Sequence, residues 1–376
     1  MFFSSFAWSF VYVSLPFHIH GLSPYDEATT LVWIGWSLGV TSLVTVLTSP
    51  LWGRLAGRGD PKRFYVLIEM LQALGFIGMA LARTLPELFV TRVILGVMGA
   101  ASTFAFIIAG RGAETAEVLR RIAAVQSAMT VGQVVGPLAG AVVAARLGFR
   151  PSFVVGGAIL IGCAGLVAWG VPASAPAAAP RPDRRPVRVG EIAKASLVVL
   201  GASIQIFFLT AILPQVLPGL GVPSARTLEI GGLIIFASGL AAALGALAAP
   251  RLADLMTERR LLATLFVGAA LAVAALAVAG SAWSYGTMRF VQVLCVAPIV
   301  PLVVARIAPH VPGEAIGLLN SARIAAAFLG PVLATTLLAW WSAAGLYLAL
   351  AVLSLGCLPL LAARREDRAG RGGLAA

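Results

Sequence analysis

Of the 27 Lys and Arg residues, Arg92, Arg289 and Arg323 lie well inside apolar stretches, and the others lie between them, beyond them or, as Arg83 does, at an edge. A guanidinium in such a place costs about 2.5–3.5 kcal/mol on insertion scales unless it meets a partner or a wet cavity. Each is therefore a candidate for holding an anion or for biasing the protonation of a neighbour by its charge. Carboxylates are scarcer still. No Asp or Glu falls near the middle of an apolar stretch, and Glu69, about two turns inside, is the nearest, placed to reach back toward Arg63. His18 and His20 stand at the end of the first stretch and could titrate, although interfacial residues at a water boundary are their ordinary reading. The candidates for carrying a proton are Glu69, these histidines, and Arg92 acting with a proton-carrying partner.

A candidate cavity lining comes from the polar and aromatic side chains inside the apolar stretches: Tyr12, Trp33, Trp36, Gln72, Gln133, Gln205, Gln292, Asn320 and Arg323. Gln and Asn in lipid also serve as interhelical hydrogen-bond glue, worth about 0.6 kcal/mol on average. Trp33 and Trp36 fit an aromatic belt equally well. So few charges point to a ligand that is apolar, aromatic or weakly anionic, with Arg92, Arg289 and Arg323 available to an anion.

The elements that must position these residues follow from composition. The chain has 376 residues, 60% hydrophobic and 11% charged, where a soluble domain carries roughly 25% charged residues. Apolar windows long enough to span a bilayer fall near 2–18, 29–52, 64–83, 86–109, 123–145, 151–171, 196–217, 229–249, 261–281, 285–305, 316–338 and 344–362. The expected fold class is an all-α membrane protein of twelve transmembrane helices. The first window is entered from Met1 without a basic leader or cleavage site, and its shortness leaves room for a start upstream. The three cysteines, Cys163, Cys295 and Cys357, have no metal-ligand spacing and read as fillers. No metal or cofactor is expected.

A net charge of +12 raises the question of nucleic acid, and the placement of the basic residues answers it. About twenty fall on alternate connections and the tail: Arg54, Arg58, Lys62 and Arg63; Arg111, Arg120 and Arg121; Arg181, Arg184, Arg185, Arg188 and Lys194; Arg251, Arg259 and Arg260; Arg306; and Arg364, Arg365, Arg368 and Arg371. The other side has Arg83, Arg146, Arg150 and Arg226. This is the positive-inside asymmetry, which sets both termini in the cytoplasm and makes the lipid bilayer, not nucleic acid, the macromolecular partner. The segment from Ala173 to about Lys194, rich in Pro, Ala and Arg, reads as an extended linker. The expected organisation is thus a six-helix bundle over 1–172, a cytoplasmic linker over 173–195, a second bundle over 196–363 and a cytoplasmic tail over 364–376.

The two bundles repeat. Gly53-Arg-Leu-Ala-Gly57 matches Pro250-Arg-Leu-Ala-Asp254, Lys62-Arg63 matches Arg259-Arg260, and Arg92 falls on Arg289, all at the same offset. Gly136-Pro137 meets Gly330-Pro331 with Gly132 and Gly140 on Ala326 and Ala334. Parallel repeats of this kind are expected of transporters that alternate access to a midplane site.

Three motifs carry a family resemblance that, with the repeat, covers nearly the whole chain. Ser49-Pro-Leu-Trp-Gly-Arg-Leu-Ala-Gly-Arg-Gly-Asp-Pro-Lys-Arg63 resembles the loop signature of the major facilitator superfamily, with Gly53, Arg54, Arg58, Lys62 and Arg63 in place. It departs at Gly57, where that family has Asp, and the acid survives at Asp254. Arg92 with Gly96 and Gly99 is similar to the fourth-span motif of drug and proton antiporters. Gly132, Gly136, Pro137 and Gly140 resemble the fifth-span motif of exporters, and their spacing makes a smooth groove for a partner helix. The resemblance implies two pseudo-symmetric six-helix bundles that export drugs or other small amphipathic molecules, as a monomer in a bacterial inner membrane, with a proton gradient as energy source and gating by the loop motif. The rivals are a carrier of sugars, amino acids or organic anions on the same fold, and a membrane sensor or enzyme. Against the last, the sequence carries no nucleophile–base set and no Walker-type loop.

Overall fold

A hydropathy window becomes a helix only where something starts and stops it. A computed structural model describes residues 1–56, 58–110, 115–172, 189–307 and 313–361. Among them are twelve helices long and apolar enough to cross a bilayer: α1 (Phe2–Leu22), α2 (Glu27–Ala56), α3 (Pro61–Leu81), α4 (Leu85–Ala109), α5 (Arg120–Leu147), α6 (Phe149–Gly170), α7 (Val189–Gly219), α8 (Ser224–Leu255), α9 (Glu258–Val278), α10 (Ala282–Ile307), α11 (Leu318–Trp340) and α12 (Ala343–Leu361). Asp60 starts α3 by accepting from Lys62 N at 3.0 Å, with Pro61 as first helical residue. Ser281 and Ser284 form a capping box on α10, and Ser342 caps α12. One residue separates α5 from α6. Gly148, at φ 88°, makes that reversal, a conformation open to a residue without Cβ.

Two sequence expectations change here. Helix α7 starts at Val189 rather than at 196, so residues 189–195 of the expected linker, Lys194 included, are helical. The rest of that linker, the tail over 364–376, Gly57 and Arg111 lie outside the described residues. In addition, four helices are interrupted: α4 at Met98–Ala100, α7 at Phe208, α10 at Ala297 and Pro298, and α12 at Cys357, beyond which it is a 3-10 turn.

The packing is two-fold. In the first half α1 lies along α5 and α6, α3 along α6 and α4, and α2 along α4; in the second, α7 lies along α11, α9 along α12 and α10, and α8 along α10. Each pair has its counterpart six helices on, the α1–α6 contact being matched by a slighter one between α7 and α12. The glycine groove behaves the same way: Gly132, Gly136 and Gly140 press on α1, and Gly330 presses on α7 at Ile204 and Phe207. Glycines let backbones approach where lipid supplies no hydrophobic drive between helices.

The halves meet along α2 with α11 and α5 with α8, and α1 also touches α7 and α8. These contacts concentrate at one end. Gly35 and Gly39 of α2 meet Thr335 and Phe328 of α11, and Gly232 of α8 meets Ala141 of α5. Toward the other end α2 is exposed at Leu47, Ser49, Pro50, Leu51, Arg54 and Leu55, and α5 is exposed at Arg120, Arg121, Ala123, Ala124, Gln126 and Ser127. The bundle is therefore closed at the end remote from the basic connections and splayed at the basic end. A cavity of 520 Å³ remains in the closed end between α2 and the second half, with Glu27, Gln215, Tyr285 and Tyr347 in its wall. Tryptophans mark the helix ends: Trp169 at the basic end, and Trp283, Trp340 and Trp341 at the other, all strongly exposed.

Candidate functional site

The interruption in α7 explains where Arg289 goes. Carbonyls of a helix's last turn have no intrahelical partner, and in lipid they find no water. Arg289, buried on α10, donates through Nη1 to Gln205 O at 2.7 Å and through Nη2 to Ile206 O at 2.8 Å, the residues just before the break at Phe208. Gln292, one turn on, accepts from Arg289 and donates to Gln205 Oε1 at 3.1 Å. The guanidinium also lies over the Phe208 ring, 5.0 Å from its centre. A cation at a helix C-terminus is in addition favoured by the macrodipole.

Arg92 occupies the matching place in the first half and does a different job. It donates through Nε to Ser37 O at 3.0 Å and through Nη2 to Leu38 O at 3.2 Å, while Thr41 Oγ1 returns a bond to Arg92 O at 2.9 Å. Its partners lie in the uninterrupted α2. The Trp8 ring stands 5.8 Å from the guanidinium, and the Arg92 charge acts on the Tyr12 phenol. The break in α4 is served by other side chains: Trp52 Nε1 donates to Val97 O and Gln72 Nε2 to Met98 O, both at 2.6 Å, and Gln72 Oε1 accepts from Trp8.

The candidate lining is thereby divided. Gln72, Gln205 and Gln292 are buried and hydrogen-bonded between helices, so they are glue and not cavity wall. Arg92 and Arg289 are likewise engaged by carbonyls and are not available to an anion. Trp33 packs edge-on against Phe89, and Trp36 against Phe328 at the seam of α2 and α11. Tyr12 is half-buried near Arg92. Gln133, Asn320 and Arg323 remain exposed. Gln133 falls between Gly132, which faces α1, and Val134, which faces Gly239 of α8, so it looks into the splayed space. Exposed Leu318, Leu333 and Trp340 mark the outer side of α11, whereas Asn320 lies opposite them at about 100° per residue. Arg323, two turns before Gly330, shares the side that Gly330 turns to α7. It makes no hydrogen bond or ion pair among the described residues.

Glu69 does not reach toward Arg63. It is fully buried, with the hydroxyls of Ser4 and Tyr65 and the Cys163 thiol beside it, and neither carboxylate oxygen makes a hydrogen bond of good geometry among the described residues. It is the one acidic side chain in the buried set. His18 is buried between the rings of Phe149 and Phe153, and His20 is exposed. In the loop motif Gly53, Arg54, Arg58 and Arg63 are exposed, as is Asp254. Arg54 there donates to Pro50 O at 3.4 Å, and no ion pair joins Asp254 to a described neighbour. Sequence reading missed Trp8, Thr41 and Trp52, whose partners are backbone carbonyls or a glutamine. It also missed Tyr285 and Tyr347, which share a hydroxyl hydrogen bond of 2.8 Å. Tyr285 had one signal, its place one turn before Arg289.

The family model described as Major Facilitator Superfamily matches residues 1–296 and 195–375. The multidrug resistance protein MdtG of Citrobacter koseri is 24% identical over 305 residues, covering 76% of this chain and 72% of that protein. Among solved structures, a bacterial homolog of the human lysosomal transporter Spinster, in an inward-facing and occupied conformation, superposes with TM-score 0.75 at 16% identity, over 98% of this chain and 94% of that one. The human organic anion transporter MFSD10 gives TM-score 0.69 at 16% identity, over 96% of each chain.

Proposed function

The chain belongs to the major facilitator superfamily, and from that premise we propose that it is a secondary exporter of small amphipathic molecules, driven by the proton gradient across a bacterial inner membrane. The observation that carries this reading is the one-ended contact between halves: tight at Gly35, Gly39 and Gly232, splayed where Gln133, Asn320 and Arg323 are exposed. By the positive-inside rule the splayed end, which bears the basic connections, is cytoplasmic. The chain is thus in the state that takes a molecule from the cytoplasm, and rocking the halves along α2–α11 and α5–α8 releases it outside. Similarity to a protein named for multidrug resistance supports the direction and the substrate range.

Glu69 is the group assigned to the proton. A buried charge without a bonded partner is costly, and Glu69 is a fully buried acid whose two carboxylate oxygens make no hydrogen bond of good geometry among the described residues, with the Met1 amino group acting on it only through space. The test is reconstitution in liposomes with an imposed pH gradient and a fluorescent amphipathic dye. Gradient-dependent flux in the wild type, and its loss in Glu69→Gln at unchanged folded yield, are expected. Flux indifferent to the gradient removes proton coupling, and gradient-driven flux in Glu69→Gln removes Glu69 from it.

A further inference from the structure

Of the three intramembrane arginines, two have their guanidinium groups occupied. Arg92 and Arg289 are buried, and each donates to two backbone carbonyls. Arg323 is exposed and makes no hydrogen bond or ion pair among the described residues. It lies ten residues, about 15 Å, into a helix that begins at Gly313, on the side that Gly330 turns to α7 and about a quarter-turn round from the exposed Leu333. Asn320, one turn before it, is exposed beside it, and Gln133 faces the same space from α5.

No acid among the described side chains answers this cation. The described carboxylates stand at helix ends and connections, as Asp26, Glu27, Asp60, Glu87, Glu117, Glu191, Glu229, Asp254 and Glu258 do, or, in Glu69, inside the first half. Glu117 is paired with Arg121 at 2.6 Å. A cation inside a splayed bundle with no described carboxylate paired to it sets the sign of the local field. It attracts an anionic head group and repels an ammonium.

We propose that Arg323 selects the charge of the transported molecule, and that the substrate class is amphipathic organic anions whose carboxylate, sulfonate or phosphonate pairs with Arg323 while Asn320 donates a second hydrogen bond. This rests on the exporter reading for the route, but not for the binding. The planar guanidinium offers a fork of two parallel N–H donors to such a group, which an ammonium does not.

The experiment uses the full chain in nanodiscs and three fluorescent probes that share one apolar scaffold and carry a sulfonate, a neutral amide or a trimethylammonium. Binding is read by anisotropy. The sulfonate probe is expected to bind more tightly than the trimethylammonium one. Arg323→Gln should weaken the sulfonate roughly tenfold or more, as the loss of a hydrogen bond to a charged group implies, and leave the neutral probe within twofold. Arg323→Lys should fall between. Arg251→Gln, which removes a charge from the same end outside the cavity wall, should change nothing. Equal binding of the trimethylammonium probe by the wild type, no sulfonate binding at millimolar probe, or a sulfonate affinity unchanged in Arg323→Gln overturns the proposal. Should Arg323→Gln misfold, the wild-type charge preference and Arg323→Lys decide it alone. Liposome flux of the same probes separates the two readings. Arg323-dependent anion binding without gradient-driven flux removes the exporter and keeps the anion site, and Arg323-independent flux of the ammonium probe does the reverse.

Discussion

Arg92 and Arg289 align in sequence, and the sequence motif around Arg92 makes it the more important of the two. For structural support the geometry gives the heavier task to Arg289. Removing Arg289 orphans Ile206 O and leaves Gln205 O with only the long 3.4 Å bond from Gln292 Nε2 at a helix break in lipid, an orphaned carbonyl costing about 1–3 kcal/mol. Removing Arg92 uncovers carbonyls of Ser37 and Leu38 that sit in an uninterrupted helix. Arg289→Gln is therefore expected to lower the thermal unfolding midpoint clearly more than Arg92→Gln does, measured side by side on purified protein in one detergent. An equal or smaller drop would show that the break in α7 does not depend on Arg289. The sequence announces that both arginines need a partner, because a charge in lipid always does. It conceals which partner, since a backbone carbonyl belongs to every residue and leaves no complementary side chain to look for. Arg323 differs: among the described residues it has no partner, so its place in an apolar stretch is all that the sequence had to offer.

At the scale of elements, the glycine motifs were readable as grooves because spacing alone places them on one helix face. Their tightness was not. A Cβ at Gly136 would come 2.8 Å from Phe6 O, and one at Gly140 would run into the same α1 backbone at Phe10, neither of which can turn aside. At Gly330 the contacts are 3.1 Å to Phe207 Cβ and 3.2 Å to Ile204 O. Gly136→Ala is thus expected to cost about 1–3 kcal/mol as overpacking, with Gly330→Ala milder. Folded yield by fluorescence-detected size exclusion reads the difference, and Gly136→Ala at wild-type yield would show that α1 and α5 can part freely. The interruptions in α4, α7 and α10 escaped the sequence reading because hydropathy measures side chains, whereas a break concerns backbone hydrogen bonds. Pro214 and Pro298 were the available signals. Pro214 lacks the N–H that the carbonyl of Thr210, one turn back and just past the α7 break, would otherwise meet.

For the whole molecule, the count of twelve spans came through the sequence directly, since lipid thickness fixes a length that composition must satisfy. The direction of opening did not, because it depends on which ends of α2 and α11 touch. Reporters in both termini are expected to score cytoplasmic and one in residues 218–228 external; the opposite pattern would make the splayed end face outward. A second expectation concerns the rocking itself. In a cysteine-free background, Trp36→Cys with Phe328→Cys, whose rings now stand 5.5 Å apart across the closed end, should accept a short bis-maleimide. Flux should then stop while ligand binding persists, and undiminished flux would show that this end need not separate. The tryptophans placed at the helix ends have an optical consequence. Trp169, Trp283, Trp340 and Trp341 are 92, 79, 77 and 66% exposed, whereas Trp8 and Trp52 are hydrogen-bonded inside the first half. Brominated lipids should therefore quench half of the eight emitters and leave the signal of Trp8, Trp33, Trp36 and Trp52, all on α1 and α2, isolating from the lipid background an intrinsic reporter of the helices that hold Arg92.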